Sequence, residues 1–234
     1  MDGVSLLNRI DTKFILTYPQ LLLALQQVMD DYSILEIDGL RLHRYHTLYF
    51  DTADRLFYRE HHNGKRNRYK VRIRQYQDTQ LCFLEIKHKN NKGWTSKKRT
   101  TRLEFEQKLS ADSCQFINSH IPFQAEDLQP ALTNEFSRLT LVSQLDQERI
   151  TIDLALGFPP FKTSLPKNLA VVEVKRDKYS KNSAMIKALS DQRILPSSFS
   201  KYCIGTVLAH PTIKYNRFKP ILRTINKLAH GPIN

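Results

Sequence analysis

The run Arg68-Tyr69-Lys70-Val71-Arg72-Ile73-Arg74 alternates basic and apolar residues over seven positions. Successive side chains of a strand point to opposite faces. The run therefore reads as a half-buried strand, with Arg68, Lys70, Arg72 and Arg74 on one face and Tyr69, Val71 and Ile73 on the other. The same alternation recurs outward from it. Residues 81–89 set Glu85, Lys87 and Lys89 against Leu84 and Ile86. Arg9, Asp11 and Lys13 alternate with Ile10, Thr12 and Phe14, and residues 149–153 alternate polar with aliphatic. In 172–177, Glu173, Lys175 and Asp177 share a face. Strands are also expected over 44–51 and 134–142. Turns are expected at Asn63-Gly64, Asn90-Asn91-Lys92-Gly93 and Gly157-Phe158-Pro159-Pro160. Helices are expected over 19–29 with Thr17 as cap, and over 110–119, 181–192, 198–209 and 216–230.

The charge follows these strands. The chain of 234 residues carries 36 Lys+Arg against 23 Asp+Glu, a formal net charge of +13. Residues 41–102 alone hold 17 basic and 5 acidic side chains, while residues 1–40 are net acidic and 103–213 balance. The tail 214–234 has five basic residues and no acid. A one-signed field of this kind attracts a polyanion. Hydrophobic residues make up 41% and charged residues 25%, as in an ordinary folded domain. The longest aliphatic run is Leu21–Leu25, far below the ~20 residues of a bilayer span, and the N-terminus has no apolar leader pattern. Cys82, Cys114 and Cys203 are isolated, which points to a reducing compartment. No two of the seven glycines lie within six residues of each other, so neither GxGxxG nor GxxxxGK[ST] exists. Any phosphate must be held by side chains.

Charge on one face of many strands admits two arrangements. A flat sheet leaves the charges in water. A closed barrel turns them inward and covers the aliphatic outer face with helices, with room for one small ligand. Inward cations need a counter-anion. A phosphate chain supplies it, since arginine forks bind phosphate oxygens bidentately. Carboxylates among the cations then suit Mg²⁺ or Mn²⁺, which take one or two carboxylates plus substrate phosphates.

Seven ordered motifs carry a resemblance: Arg9-Ile-Asp-Thr-Lys13-Phe, Tyr49-Phe-Asp51-Thr, Arg68-Tyr-Lys-Val-Arg72-Ile-Arg74, Phe83-Leu-Glu85-Ile-Lys87, Arg149-Ile-Thr-Ile-Asp153, Val172-Glu173-Val-Lys175 and Ser200-Lys201-Tyr. With these, from about Asn8 to Gly205, the sequence resembles the VTC domain family, polyphosphate polymerases within the triphosphate tunnel metalloenzyme (CYTH-like) superfamily. The resemblance implies an α+β fold: an antiparallel, eight-stranded closed β-barrel with peripheral helices. This domain is expected over residues 1–213, followed by a basic, helical tail over 214–234. The implied activity is transfer of the ATP γ-phosphate to a growing inorganic polyphosphate chain with Mn²⁺ or Mg²⁺.

On this reading Lys13, Arg72, Arg74 and Lys87 hold the triphosphate. Glu173 binds the metal, with Asp11 and Glu85 as further candidates. Arg138, Arg149 and Lys201 guide product, and Ser200 pairs with Lys201. Arg59 or His61 fills an upstream basic position. Arg9, Arg68, Lys70, Lys89 and Lys175 complete the phosphate-binding set. Two departures stand out. Tunnel hydrolases open on ExExK, here Arg9-x-Asp11-x-Lys13, which favours a polymerase over a triphosphatase. The family's tyrosine two residues before an arginine is Phe136 before Arg138. A tunnel-type tripolyphosphatase or nucleoside triphosphatase, and a non-catalytic polyphosphate- or RNA-binding module, are the alternatives. The expected partners are ATP and polyphosphate without specific nucleic acid. The expected location is the cytoplasm, with the tail available to a membrane-protein partner.

Overall fold

The computed structural model describes residues 9–92, 94–177 and 182–230. Eight strands form one antiparallel path: β1 (Arg9–Thr17), β9 (Leu169–Asp177), β8 (Glu148–Gly157), β7 (Leu128–Ser143), β3 (Leu42–Thr52), β4 (Arg68–Tyr76), β5 (Leu81–Lys89) and β6 (Thr95–Arg102). A ninth, β2 (Tyr32–Ile34), pairs β7 off this path. Six α-helices are described: α1 (Tyr18–Val28), α2 (Leu56–His62), α3 (Ala111–Asn118), α4 (Ala184–Asp191), α5 (Lys201–Ala209) and α6 (Lys219–His230). None is long and apolar enough to cross a membrane.

Strand parity sorts the residues as the alternation predicts. Val71, Ile73, Leu84 and Ile86 are at most 2% exposed and pack with Phe57 of α2 and Ile117 of α3. Phe14, Leu16, Ile150, Ile152, Val172 and Val174 pack with α1 and α4 through Leu21, Ala24, Val28, Met185 and Leu189. Each such aliphatic side chain stabilises the fold by roughly 1.5–3 kcal/mol. The charged parity lies on the opposite, concave face. One end of that face is apolar: Ile15, Tyr45, Leu132, Phe136, Leu156 and Val171 pack under Phe199 and under α5 and α6 through Cys203, Val207, Ile221 and Ile225. Thr17 caps α1 as expected, in a reciprocal capping box with Gln20.

The expected closed barrel is corrected to an open, curled sheet. β1 and β6 end the strand path, and no backbone ladder joins them among the described residues. The sequence Thr-Ser-Lys-Lys-Arg-Thr-Thr-Arg of β6 is largely exposed and gives the strand no apolar face. Such a polar, lysine-bearing strand resists further pairing. The sheet nevertheless curls until side chains of β5 and β1 meet. Lys87 Nζ on β5 lies 3.9 Å from Asp11 Oδ2 on β1.

Candidate functional site

The concave face is built as cross-strand rows. Lys70, Lys87 and Lys97 lie side by side on β4, β5 and β6, and Arg72, Glu85 and Arg99 form the next row. Tyr49 of β3 extends the second row beside Arg72. On the other wing Lys13 of β1 faces Glu173 of β9, and Asp11 faces Lys175. α5 begins at the middle. The Ser200 hydroxyl caps it by accepting from Cys203 N, and it also accepts from Lys70 Nζ at 2.9 Å. Lys13 Nζ donates to Phe199 O at 3.0 Å, which fastens the segment before α5 to β1.

Three carboxylates compensate these cations. Glu85, 1% exposed, accepts from Arg72 Nε at 2.7 Å and pairs with Lys97. Asp153, 2% exposed, takes Arg138 bidentately at 2.6 and 2.9 Å and also pairs with Lys201. Glu173 pairs with Lys175 at 2.5 Å and with Lys13 at 3.9 Å. Burial works against ionisation of all three, yet their cations outweigh it and hold the carboxyls well below the usual range. The lysines show the opposite pressure. Burial first, and like charges after it, bring Lys70, Lys97, Lys175 and Lys201 to about 8.

Phe136 sits where a hydroxyl was expected. Its ring stacks on Tyr45 at 5.0 Å. Lys201 Nζ lies 4.2 Å from its centroid, Arg138 at 5.2 Å and Arg74 at 5.8 Å. The ring thus holds three cations by its quadrupole.

The sequence-predicted residues divide as follows. Asp11, Lys13, Lys70, Arg72, Arg74, Lys87, Arg138, Glu173, Lys175, Ser200 and Lys201 converge on the concave face. Arg68 and Lys89 pair across β4 and β5 at one end of it, and Arg68 donates to Lys65 O. Arg149 shares parity with Thr151 on β8 but is exposed near the strand's start. Arg9 pairs with Asp177 in backbone register, and its side chain lies outside the described residues. Arg59 is not brought to this face: it is exposed on α2, paired with Asp54 at 2.5 Å. His61 comes close instead. Burial first, then Lys70, Arg68, Lys13 and Lys89, push its pKa down to about 2, so its ring is neutral. Asp51 is structural, accepting from Phe57 N, Tyr58 N and Tyr202 Oη.

Sequence reasoning missed Tyr49, Lys97 and the clamp role of Asp153. Tyr49 was detectable, since it shares strand parity with Tyr45 and Thr47 on β3. Lys97 carried no signal, because β6 has no apolar alternation.

No three His, Cys, Asp or Glu side chains gather as a metal cluster among the described residues. Glu173 and Asp11 sit on adjacent strands at diagonal register positions, within reach of one divalent ion whose remaining ligands are phosphates. They fit such an ion. Glu173 would exchange Lys175 for the ion, whereas Glu85 is gripped by the Arg72 fork through Nε and Nη2 as well as by Lys97.

The VTC domain family model matches residues 8–210. No curated protein sequence matches the chain. Among solved structures, a Bacillus halodurans protein carrying the provisional name adenylate cyclase aligns at TM-score 0.51 with 14% identity, covering 82% of this chain and 94% of that one. A Vibrio parahaemolyticus protein of the same provisional name aligns at TM-score 0.49 with 9% identity, over 82% and 94% of the two chains. A Hippeastrum protein described with a dominant triphosphatase activity aligns at TM-score 0.45 with 14% identity, over 88% and 98%. At these identities only the fold is compared.

Proposed function

The chain belongs to the VTC domain family, and from that premise we propose that it is a metal-dependent polyphosphate polymerase. It transfers the γ-phosphoryl group of ATP to inorganic polyphosphate. The observation that carries this reading is the convergence of Lys13, Lys70, Arg72, Arg74, Lys87 and Lys201 on one concave face, where every nearby carboxylate except the Asp11–Glu173 pair is clamped by an arginine.

Phosphoryl transfer asks a protein chiefly for positioning and charge stabilisation. Arg72 and Arg74 present planar forks from alternate positions of one rigid strand, while Lys70 and Lys87 add point charges beside them. Lys201 and Ser200 reach the same place from the start of α5. Arg138 enters from β7, its guanidinium fixed by Asp153 and by the Tyr45 and Phe136 rings. Mn²⁺ or Mg²⁺, held by Glu173 and Asp11, supplies neutralisation of phosphate charge. The chain's own residues hold the triphosphate extended, and a terminal phosphate oxygen of the acceptor attacks in line.

The decisive experiment is incubation of the purified protein with ATP and Mn²⁺ or Mg²⁺. ADP with a ladder of polyphosphate supports the polymerase. ADP with orthophosphate alone replaces it with a tunnel hydrolase. No turnover with salt-dependent polyanion binding leaves a binding module. Glu173→Ala should lower any metal-dependent rate by ~10²–10³, and an unchanged rate overturns the metal assignment.

A further inference from the structure

Tyr49 is buried to 3% exposure on the concave face, in line with Arg72 and Glu85. Its ring is fixed from two sides. Tyr202 of α5 stacks on it with centroids 5.0 Å apart, and the Arg72 guanidinium stands 5.9 Å from its centroid. Its hydroxyl accepts from Arg72 Nη1 at 3.4 Å, and among the described residues the O–H donates to no protein acceptor. The groups facing it are Lys70, Arg72 and Arg74 of β4 and Lys201 of α5, all cations. Its ring neighbour Tyr202 donates away, to Asp51. Glu85, in the same cross-strand row, is turned to Arg72 and Lys97. The phenol oxygen therefore lies among cations with no protein acceptor for its proton, a setting that suits a bound anion.

We propose that Tyr49 is a hydrogen-bond donor to a non-bridging oxygen of the bound phosphate chain, a neutral donor beside the cationic arginines and one that Phe136 does not supply. It rests on the phosphate-binding reading above. The electrostatics agree. Burial pushes the phenol up, but Arg72, Arg74, Lys70 and Lys201 outweigh it and bring it down to about 8. A bound polyanion cancels those charges and restores the proton to Tyr49. Lys70 and Lys201 also titrate near 8, so affinity against pH is not diagnostic by itself. A tyrosinate signal is.

The test uses tripolyphosphate as probe, with calorimetric binding at pH 6.5 and absorbance of tyrosinate at 295 nm against pH. The free protein should show one tyrosine ionising near pH 8, absent in Tyr49→Phe. Saturating tripolyphosphate should move that step up by at least about one pH unit. Tyr49→Phe should bind tripolyphosphate about tenfold more weakly, in the range for a hydrogen bond to a charged group. Equal affinity in Tyr49→Phe, or a tyrosinate step that stays near pH 8 with probe bound, overturns the role of Tyr49 and leaves the proposed function standing. Absence of tripolyphosphate binding by the unaltered protein overturns the proposed function, and the Tyr49 role with it. If Tyr49→Phe fails to fold, the absorbance shift in the unaltered protein still decides.

Discussion

Asp153 compensates two buried cations at once, Arg138 through both oxygens and Lys201 through one. Asp153→Asn keeps the shape but removes that charge, leaving both cations uncompensated. Breaking a buried pair in this way costs roughly 3–5 kcal/mol. Denaturant unfolding should show that loss at pH 7, and tripolyphosphate should recover a larger share in the variant than it adds to the wild type. The acid limb gives the sign. The Asp153 carboxyl is held below its unfolded value, opposed by burial and driven by Arg138 and Lys201. Its contribution is therefore complete above the unfolded aspartate pKa of about 4 and is lost as pH falls through the folded one. Asp153→Asn should flatten the loss of stability below pH 4. A variant as stable as the wild type would show that Arg138 and Lys201 need no anion.

α5 is an element placed by a missing side chain. A Cβ on Gly205 would stand 2.3 Å from the Phe158 ring and 2.7 Å from Leu132 Cδ2. Gly-to-Ala within a helix ordinarily stabilises by about 1 kcal/mol. Here the sign should reverse, because α5 must lift off Phe158, and lifting it moves Ser200 and Lys201 away from Lys70 and Asp153. Gly205→Ala should lower the melting temperature and weaken tripolyphosphate binding together, and a more stable variant with intact binding would refute this placement. Elements of this kind mark what the sequence discloses. β5 matches its alternating segment residue for residue and β4 contains its own, running two residues further to Tyr76, because each has one covered aliphatic face and one charged face. β7 runs longer than its alternation, from Leu128 to Ser143, and carries a bulge between Glu135 and Ser137. β6 was invisible, having no buried face to imprint a period. α2 was hidden for another reason: its start is held by the carboxylate of Asp51 on β3, while Arg55 at its cap position makes no side-chain cap. The arginines, lysines and Glu173 of the site were legible because charge at alternate strand positions is itself a pattern. Asp153 as a clamp was not, since it depends on which strands become neighbours.

At the scale of the molecule, the concave face is a store of like charge held together without its counter-ion. Burial and mutual repulsion bring Lys70, Lys97, Lys175 and Lys201 to about 8, against about 10.4 in an unfolded chain. Between those values the unfolded state binds more protons, so stability rises with pH. Tyr49, at about 8 in the fold, acts in the same direction up to its unfolded value near 10. Beyond pH 10 the sign turns. Burial first raises Tyr32, Tyr58 and Tyr202, so the fold then holds the extra protons and stability falls. The free protein should therefore be most stable near pH 10, well above the pH 5–8 at which most proteins peak. A bound polyanion reverses the pressure by keeping the lysines charged. With tripolyphosphate at about 100 times its dissociation constant, the protein should gain about 2.7 kcal/mol near neutrality, or roughly 5–10 °C at this chain length. The gain should shrink as pH rises through 8. Melting temperatures against pH, with and without tripolyphosphate, check both curves. A free-protein maximum near pH 7 that tripolyphosphate does not move would mean that the concave cations carry no strain for an anion to relieve.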